Sequence, residues 1–240
     1  MTPLLLVERV TKSFRGLRAV DDVSFGVAEG EIMALIGPNG AGKTTLFNLV
    51  SGALALDSGH IHLSGRRIDG LRPHQTCAAG VARTFQIARP FAGLSVRQNV
   101  IVGALCRERT PAMAGKRADA ILERLGLAGD RPASALTLPD RKRLEVARVL
   151  ATRPRLLLLD EVMAGLRPAE CDELAAVLSE LQRTDGFAIL LIEHVMRAVL
   201  ALASQIVVLH HGRLIAHGAP DAVLRDDAVR DSYFGSSGAP

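Results

Sequence analysis

The feature that most constrains this chain is a glycine-rich turn at residues 37–44, Gly-Pro-Asn-Gly-Ala-Gly-Lys-Thr, which fits the pattern G-x-x-x-x-G-K-[ST]. A mostly apolar run over residues 31–36 precedes it, and a helical pattern begins near Gly42. This strand–turn–helix order is the context that the pattern requires. Glycines let the backbone approach phosphate oxygens closely, and the N-terminus of the following helix adds partial positive charge. The turn therefore predicts a triphosphate site.

The side chains of this turn have distinct expected roles. Lys43 is expected to neutralise the β- and γ-phosphates, and the Thr44 hydroxyl to ligate Mg²⁺. The alternative is a glycine-rich connection in which Lys43 is simply solvated. Extended by one residue, the candidate nucleotide-binding set comprises Gly37, Pro38, Asn39, Gly40, Ala41, Gly42, Lys43, Thr44 and Thr45.

Two acidic residues follow a second apolar run. Four consecutive leucines at residues 156–159 are typical of a parallel strand buried on both faces, and Asp160 and Glu161 come next. In triphosphate sites an Asp at this point holds Mg²⁺. Because strand side chains alternate, Glu161 is expected on the opposite side, where it would act as general base on an attacking water. The alternative is a pair of solvated acids.

His194 ends the next apolar run, after Ile192 and Glu193. Its place beside the predicted Mg²⁺ strand favours a hydrogen bond to the γ-phosphate. The other six histidines carry no functional prediction.

Strand and helix patterns alternate after residue 155, which predicts a parallel sheet with helices on both faces. Residues 95–150 have helical spacing and no convincing strand, so a helical insert is predicted inside an α/β core. Within it, residues 109–115 are expected to form a loop. The last six residues, 235–240, are expected to be a loose tail.

Composition excludes several classes of protein. Hydrophobic residues make up 48% and charged residues 22%, as in a folded domain rather than a disordered chain. The three cysteines form no C-x-x-C pair, so neither a zinc site nor a disulfide framework is indicated. The apolar run at residues 4–7 is too short for the core of a signal peptide, so none is expected, and the sequence contains no run of 18 apolar residues. A net charge of +4 with 3% aromatic residues gives no reason to expect a nucleic-acid partner.

Taken in order along nearly the whole chain, these motifs resemble the ATP-binding subunits of ABC transporters. The family order includes a Gln after a strand, here Gln86, between the glycine-rich turn and the helical insert. The resemblance implies one nucleotide-binding domain over residues 1–240, an α/β P-loop NTPase of ABC type. Its core sheet would be mostly parallel, with an N-terminal antiparallel β part. An inserted helical subdomain, residues 88–152, would carry the family's signature segment.

The resemblance implies further site residues. Gln86 would contact Mg²⁺ and the attacking water, and Phe14 would stack on adenine, the alternative being a core Phe on an early strand. Thr137, in the signature segment, would bind the γ-phosphate of ATP held by the opposite subunit. The implied catalytic set is thus Glu161, His194 and Gln86, and the implied Mg²⁺ ligands are Thr44, Gln86 and Asp160.

A narrower resemblance is to the subunits that power import of branched-chain and other hydrophobic amino acids. It is carried by residues 35–48, 82–86, 143–148, 164–166, 192–194 and 233–235. It implies ATP and Mg²⁺ as cofactors and a peripheral location on the cytoplasmic face of the inner membrane. The implied partners are an identical or paralogous ATPase subunit, integral membrane permease subunits that contact apolar residues after Gln86, and indirectly a soluble substrate-binding protein.

The signature segment departs from the family pattern Leu-Ser-Gly-Gly-Gln, because residues 136–140 read Leu-Thr-Leu-Pro-Asp. Leu138 and Pro139 replace both glycines, and Pro139 has no N–H to donate. Thr137 is expected to cap the helix that starts here, while Asp140 brings a negative charge towards phosphate. We therefore hypothesise a working ATPase with one weakened contact.

Two further departures are Arg167, where the family commonly has Asp, and Val162, where it usually has Pro. They put communication between the two nucleotide sites of a dimer in question. The basic run at residues 141–143 is expected to be a solvated helix face rather than a nucleic-acid patch.

Other functions remain as alternatives. A cytosolic ABC ATPase acting on DNA or ribosomes would carry long insertions or a second cassette. A GTP-binding switch would carry Asn-Lys-x-Asp, which is absent. A small-molecule kinase would need a lid and an acceptor pocket. Within the importers, amides, urea and aromatic acids are alternative cargoes.

Overall fold

The computed structural model describes residues 3–84 and 90–234, with only the backbone of Phe234. The strands in these ranges are β1 Leu5–Phe14, β2 Leu17–Val27, β3 Ile32–Ile36, β4 Ser58–Leu63, β5 Arg66–Arg67, β6 Val81–Arg83, β7 Leu156–Asp160, β8 Ala188–Ile192, β9 Gln205–His210 and β10 Arg213–Gly218. The α-helices are α1 Lys43–Val50, α2 Pro73–Ala79, α3 Val96–Ala104, α4 Pro111–Arg124, α5 Leu138–Leu150, α6 Pro168–Asp185, α7 Met196–Leu202, α8 Pro220–Leu224 and α9 Asp227–Phe234.

The strands form two sheets of different character. The first, in the order β2-β1-β4-β5, is antiparallel and is built mainly from the N-terminal strands. The second, in the order β10-β9-β3-β8-β7-β6, is parallel except for its edge strand β10. The predicted α/β fold class, a mostly parallel core with an N-terminal antiparallel part, is confirmed.

The apolar runs explain why the parallel sheet lies at the centre. All five residues of β3, β7 and β8 are buried. Alternate residues of β7 enter different clusters: Leu157 and Leu159 pack with the helices, whereas Leu156 and Leu158 pack with the antiparallel sheet and α1. A strand between two apolar layers needs apolar side chains on both faces, which is why these runs do not alternate with polar residues.

The register of the central strands sets the position of the site. Leu35 of β3 and Asp160 of β7 both pair with Ile192 of β8. The residues that follow these strands, namely Gly37, Glu161 and Glu193, therefore emerge at one edge of the sheet. This edge is where parallel α/β folds bind ligands.

The helices α3, α4 and α5 pack against one another and against the helical face of the sheet. The loop expected at residues 109–115 is wrong, because α4 already begins at Pro111. Thr110 caps it by accepting a hydrogen bond from the Met113 N–H at 3.2 Å, and proline suits the first turn of a helix. The boundaries 88–152 of the helical subdomain stay a prediction.

Several expectations fall outside the described part of the chain. Gln86 lies in the gap between residues 84 and 90, and the tail at residues 235–240 lies beyond the last described residue. Among the described residues, none of the helices combines the length and the hydrophobicity that crossing a bilayer requires.

Candidate active site

The glycine-rich turn has a backbone shape that side chains would obstruct. Gly37 and Gly42 have φ angles of +148° and +105°. A Cβ atom on Gly37 would lie 2.1 Å from the Leu209 carbonyl oxygen, and one on Gly42 would lie 2.2 Å from that of Ala19. Glycine at both positions therefore lets the turn pack against β9 and β2 while α1 begins directly after it.

Lys43 is buried, with 6% of its surface exposed. Its Nζ donates hydrogen bonds to the carbonyl oxygens of Gly37 at 2.7 Å and Pro38 at 3.0 Å. Burial lowers the pKa of the Lys43 ammonium, and the negative charges of Glu161 and Asp160 act in the opposite direction. The cation is thus held inside the turn, and the alternative of a solvated lysine does not hold.

Thr44 and Thr45 lie in the first turn of α1, where backbone N–H groups have no partner within the helix. Thr44 is exposed and Thr45 is half-buried. The Thr44 hydroxyl and the Asp160 carboxylate are hard oxygen donors of the kind that Mg²⁺ prefers. In the described part of the chain, His, Cys, Asp and Glu side chains form no cluster of three that could hold a metal ion. The Thr44 hydroxyl and the Asp160 carboxylate alone still fit Mg²⁺, which is commonly bound by one or two protein groups together with substrate phosphates.

Asp160 is 2% exposed and is fixed by two neighbours. Its Oδ2 accepts a hydrogen bond from Arg83 Nη2 at 2.8 Å, and its N–H donates to Thr84 Oγ1 at 3.0 Å. Arg83 also donates to the side-chain oxygen of Asn48 on α1. Sequence reasoning missed Arg83, which links α1, β6 and β7. The sequence signal that could have identified Arg83 as a site residue is its position three residues before Gln86.

Replacing Arg83 by methionine should lower the free energy of unfolding in Mg²⁺-free buffer by about 3 kcal/mol, because a mostly buried carboxylate loses its cation. Urea denaturation measures the loss. The matched control is Arg97→Met, which breaks the exposed ion pair with Asp119 and should cost less than about 1 kcal/mol. Equal losses in the two variants would show that Arg83 has no special role.

Glu161 and His194 form a contact at the carboxyl ends of β7 and β8. Nε2 of His194 lies 3.0 Å from Oε1 of Glu161. Glu161 has a φ of +50°, and its N–H donates to the Ile192 carbonyl oxygen at 2.9 Å. Glu161 is thus oriented by a left-handed turn after the strand ends, and not by the strand alternation expected from the sequence.

Phe14 and Thr137 lie on other elements. Phe14 ends β1 and is 42% exposed, so the alternative of a core Phe does not hold. Thr137 caps α5, as expected: its hydroxyl accepts from the Asp140 N–H at 3.4 Å. The Asp140 carboxylate, which was expected to bring negative charge towards phosphate, is paired with Arg131 at 3.1 Å.

The expectation that residues 141–143 form a solvated basic face is wrong for Lys142. Lys142 is 4% exposed, and its Nζ donates to the carbonyl oxygen of Glu161 at 3.0 Å. Arg143 pairs with Glu173 at 2.8 Å, whereas Arg141 is exposed as expected. Consecutive residues of a helix face different directions, so a run of basic residues does not by itself show which side chain faces the protein interior.

The two remaining departures have local structural roles. Arg167 precedes α6; its backbone N–H and its guanidinium both donate to the Glu170 carboxylate. Val162 is buried at 1% exposure.

A buried lysine in the glycine-rich turn after β3, two acids at the end of β7 and a histidine after β8, the strand between them, are the features of the ATP-binding cassette of ABC transporters. The chain belongs to this family, since the ABC transporter family model matches residues 20–164, and it is an ATPase. A second model, for branched-chain amino acid ATP-binding cassette transporters, matches residues 213–239.

Named relatives match over almost their entire length. The high-affinity branched-chain amino acid transport ATP-binding protein LivG of Salmonella typhimurium is 39% identical, covering 98% of this chain and 99% of LivG. The corresponding protein BraF of Pseudomonas aeruginosa is 37% identical, with the same coverage. A crystal structure of a nucleotide-free ATP-binding cassette from an ABC transporter superposes with a TM-score of 0.89 at 30% identity. That match covers 98% of this chain and all of that one.

Proposed function

We propose that this ATPase powers an importer of branched-chain or related hydrophobic amino acids. The assignment of the transported substrate is supported by the full-length similarity to LivG and BraF, together with the second family match at the C-terminus. The observation that carries the chemistry is the Glu161–His194 contact at the sheet edge that holds Lys43.

ATP binding rests on the turn at residues 37–44. Its backbone N–H groups and those of the first turn of α1 would surround the phosphates, and Lys43 would exchange its two carbonyl partners for phosphate oxygens. Thr45 adds a second hydroxyl next to Thr44. Phe14, exposed at the end of β1, offers its ring to adenine.

Hydrolysis needs a water aligned with the γ-phosphate and a group that accepts its proton. Glu161 would accept the proton, and His194, within hydrogen-bond distance of Glu161, would also donate to the γ-phosphate. Mg²⁺ would be held by Thr44 and Asp160, with Gln86 as a further candidate ligand, and it would neutralise charge on the phosphate oxygens.

The active form would be a dimer of this chain, or of this chain and a paralogue, with each ATP between the turn of one copy and Thr137 of the other. The dimer would bind two integral membrane permease subunits at the cytoplasmic face of the inner membrane. Phe91, which is exposed, and Leu94, which is half-buried, follow Gln86 within eight residues of sequence and would contribute to that contact. A soluble substrate-binding protein would deliver the cargo, and nucleic acid is not an expected partner.

The altered signature segment predicts a gain of function. Replacing Pro139 by alanine restores a backbone N–H in the first turn of α5, where it has no partner within the helix. A hydrogen bond to a charged phosphate contributes about 1.5–3 kcal/mol, so kcat/KM for ATP should rise roughly tenfold or more in steady-state assays of the purified chain.

Pro220→Ala, on α8, is the matched control and should leave kcat/KM unchanged. An unchanged value in Pro139→Ala would show that this segment does not contact phosphate. ATP binding without any turnover in the wild-type chain would instead show that a paralogous partner supplies the missing contact.

Cargo is tested by co-expression with the neighbouring permease genes and transport into membrane vesicles. Uptake of leucine, isoleucine or valine that depends on ATP and on this chain supports the proposal. Uptake of urea, amides or aromatic acids instead would change the cargo and leave the ATPase role intact. Failure to co-purify with membrane subunits would favour the cytosolic ATPase.

A further inference from the structure

Two buried titratable side chains contact the turn at residues 161–164 and are not used in the chemistry above. Lys142, on α5, is 4% exposed, and Glu193, directly after β8, is 2% exposed. Burying a charge is costly unless partners compensate it, so a buried lysine and a buried glutamate that contact the same turn call for an explanation.

Both side chains bind the backbone of one short turn. Lys142 Nζ donates to the Glu161 carbonyl oxygen at 3.0 Å, and the Met163 N–H donates to Glu193 Oε1 at 2.9 Å. The same Glu161 carbonyl oxygen also accepts from the Ala164 N–H at 3.2 Å. The turn at residues 161–164 is thus held from α5 on one side and from the end of β8 on the other.

This turn needs such support, because Glu161 has a φ of +50°. Residues other than glycine adopt this conformation uncommonly, and it persists where the surroundings fix it. Its N–H is bound to Ile192 and its carbonyl oxygen to Lys142. If Glu161 left this left-handed conformation, its carbonyl oxygen would lose the Lys142 contact and its side chain would take a new direction relative to His194.

The surroundings of Glu193 act on its carboxyl group in opposite directions. Burial raises the pKa of the Glu193 carboxyl to about 7, whereas the N–H groups of Met163 and His194 and the positive charge of Lys142 oppose that rise. The negative charge of Glu161 adds to it. Glu193 and Lys142 thus hold the same turn, from its Met163 N–H and its Glu161 carbonyl oxygen respectively.

We propose that Lys142, supported by Glu193, is a positioning residue that ties the orientation of Glu161 to the position of helix α5. This inference rests on the proposed function, in which Thr137 at the start of α5 meets the partner's ATP. Lys142 lies five residues after Thr137 on the same rigid helix, so a shift of α5 reaches the Glu161 backbone through one hydrogen bond. Lys142 acts on hydrolysis after binding and contributes little to ATP affinity.

The test compares Lys142→Met, which keeps the length of the side chain without the ammonium, with Lys142→Arg, which keeps a donor and the charge. In steady-state ATP hydrolysis, K142M should lose at least tenfold in kcat with KM within about twofold of wild type. K142R should stay within about threefold in kcat. The exposed Lys116 on α4 supplies the matched control, K116M, which should match wild type.

A normal kcat in K142M, an equal loss in K142M and K142R, or a loss confined to KM would overturn the positioning role. If K142M does not fold, the E193Q variant tests the proposal instead. Glutamine at this position still accepts a hydrogen bond from the Met163 N–H but cannot carry a negative charge. The proposal predicts at least a threefold fall in kcat at unchanged KM for E193Q, and an unchanged kcat overturns it. Wild-type chain that fails to hydrolyse ATP would contradict the proposed function instead, so the two failures are distinguishable.

Discussion

Replacing Glu161 by glutamine should lower kcat for ATP hydrolysis at least 100-fold while ATP still binds. Glutamine keeps the shape of the side chain and a hydrogen bond to His194, but it cannot accept a proton from water. A positioned general base typically contributes a factor of about 100 to 10,000. Phosphate release measured under saturating Mg²⁺ and ATP gives the rate, and equilibrium titration gives the affinity.

The variant should also accumulate the closed dimer, because the step that opens it is blocked. Size-exclusion chromatography with Mg²⁺ and ATP should show twice the mass seen without nucleotide. The matched control is Glu180→Gln, an exposed position on α6, which should keep full turnover. Near-normal turnover in Glu161→Gln would refute its role as the base.

Replacing Lys43 by alanine should remove most ATP binding. The Lys43 ammonium is already desolvated inside the turn, so its interaction with phosphate is little screened by water. Truncating one member of a buried, hydrogen-bonded charge pair costs about 2–5 kcal/mol, which corresponds to roughly a 30-fold to several-thousand-fold rise in Kd. Isothermal titration calorimetry with ATP and Mg²⁺ measures the change.

Two measurements keep this result interpretable. Lys43 also bonds the carbonyl oxygens of Gly37 and Pro38, so thermal unfolding must show that the variant is folded. Lys116→Ala, at an exposed position on α4, is the control and should bind ATP like wild type. A folded Lys43→Ala chain with Kd within threefold of wild type would show that the triphosphate does not lie in this turn.

The sequence predicted the elements whose signal is local. The turn at residues 37–44 needs glycine at strained positions, and β7 and β8 need apolar side chains on both faces. Both requirements can be read from consecutive residues. The position of His194 beside the strand that carries Asp160 also followed from local signals, because neighbouring parallel strands end at the same edge.

Other features depended on contacts between distant segments. β10 is an edge strand whose Arg213–Gly218 sequence is half-exposed, so no continuous apolar run identified it. The burial of Lys142 depends on the Glu161 carbonyl oxygen, which is 19 residues away, and the role of Arg83 depends on Asp160, 77 residues away. A cation and its acceptor at such separations leave no periodic pattern in the chain.

In the proposed dimer, residues 37–44 enclose the triphosphate of ATP while Thr137 of a second copy closes the other side. The most direct measurement is a crystal structure of the Glu161→Gln chain grown with ATP and Mg²⁺. We expect triphosphate density inside the turn of one copy and the start of α5 of its partner against the γ-phosphate. A turn without nucleotide would contradict this expectation. So would a crystal in which ATP is bound but no Thr137 of a second copy lies near the γ-phosphate.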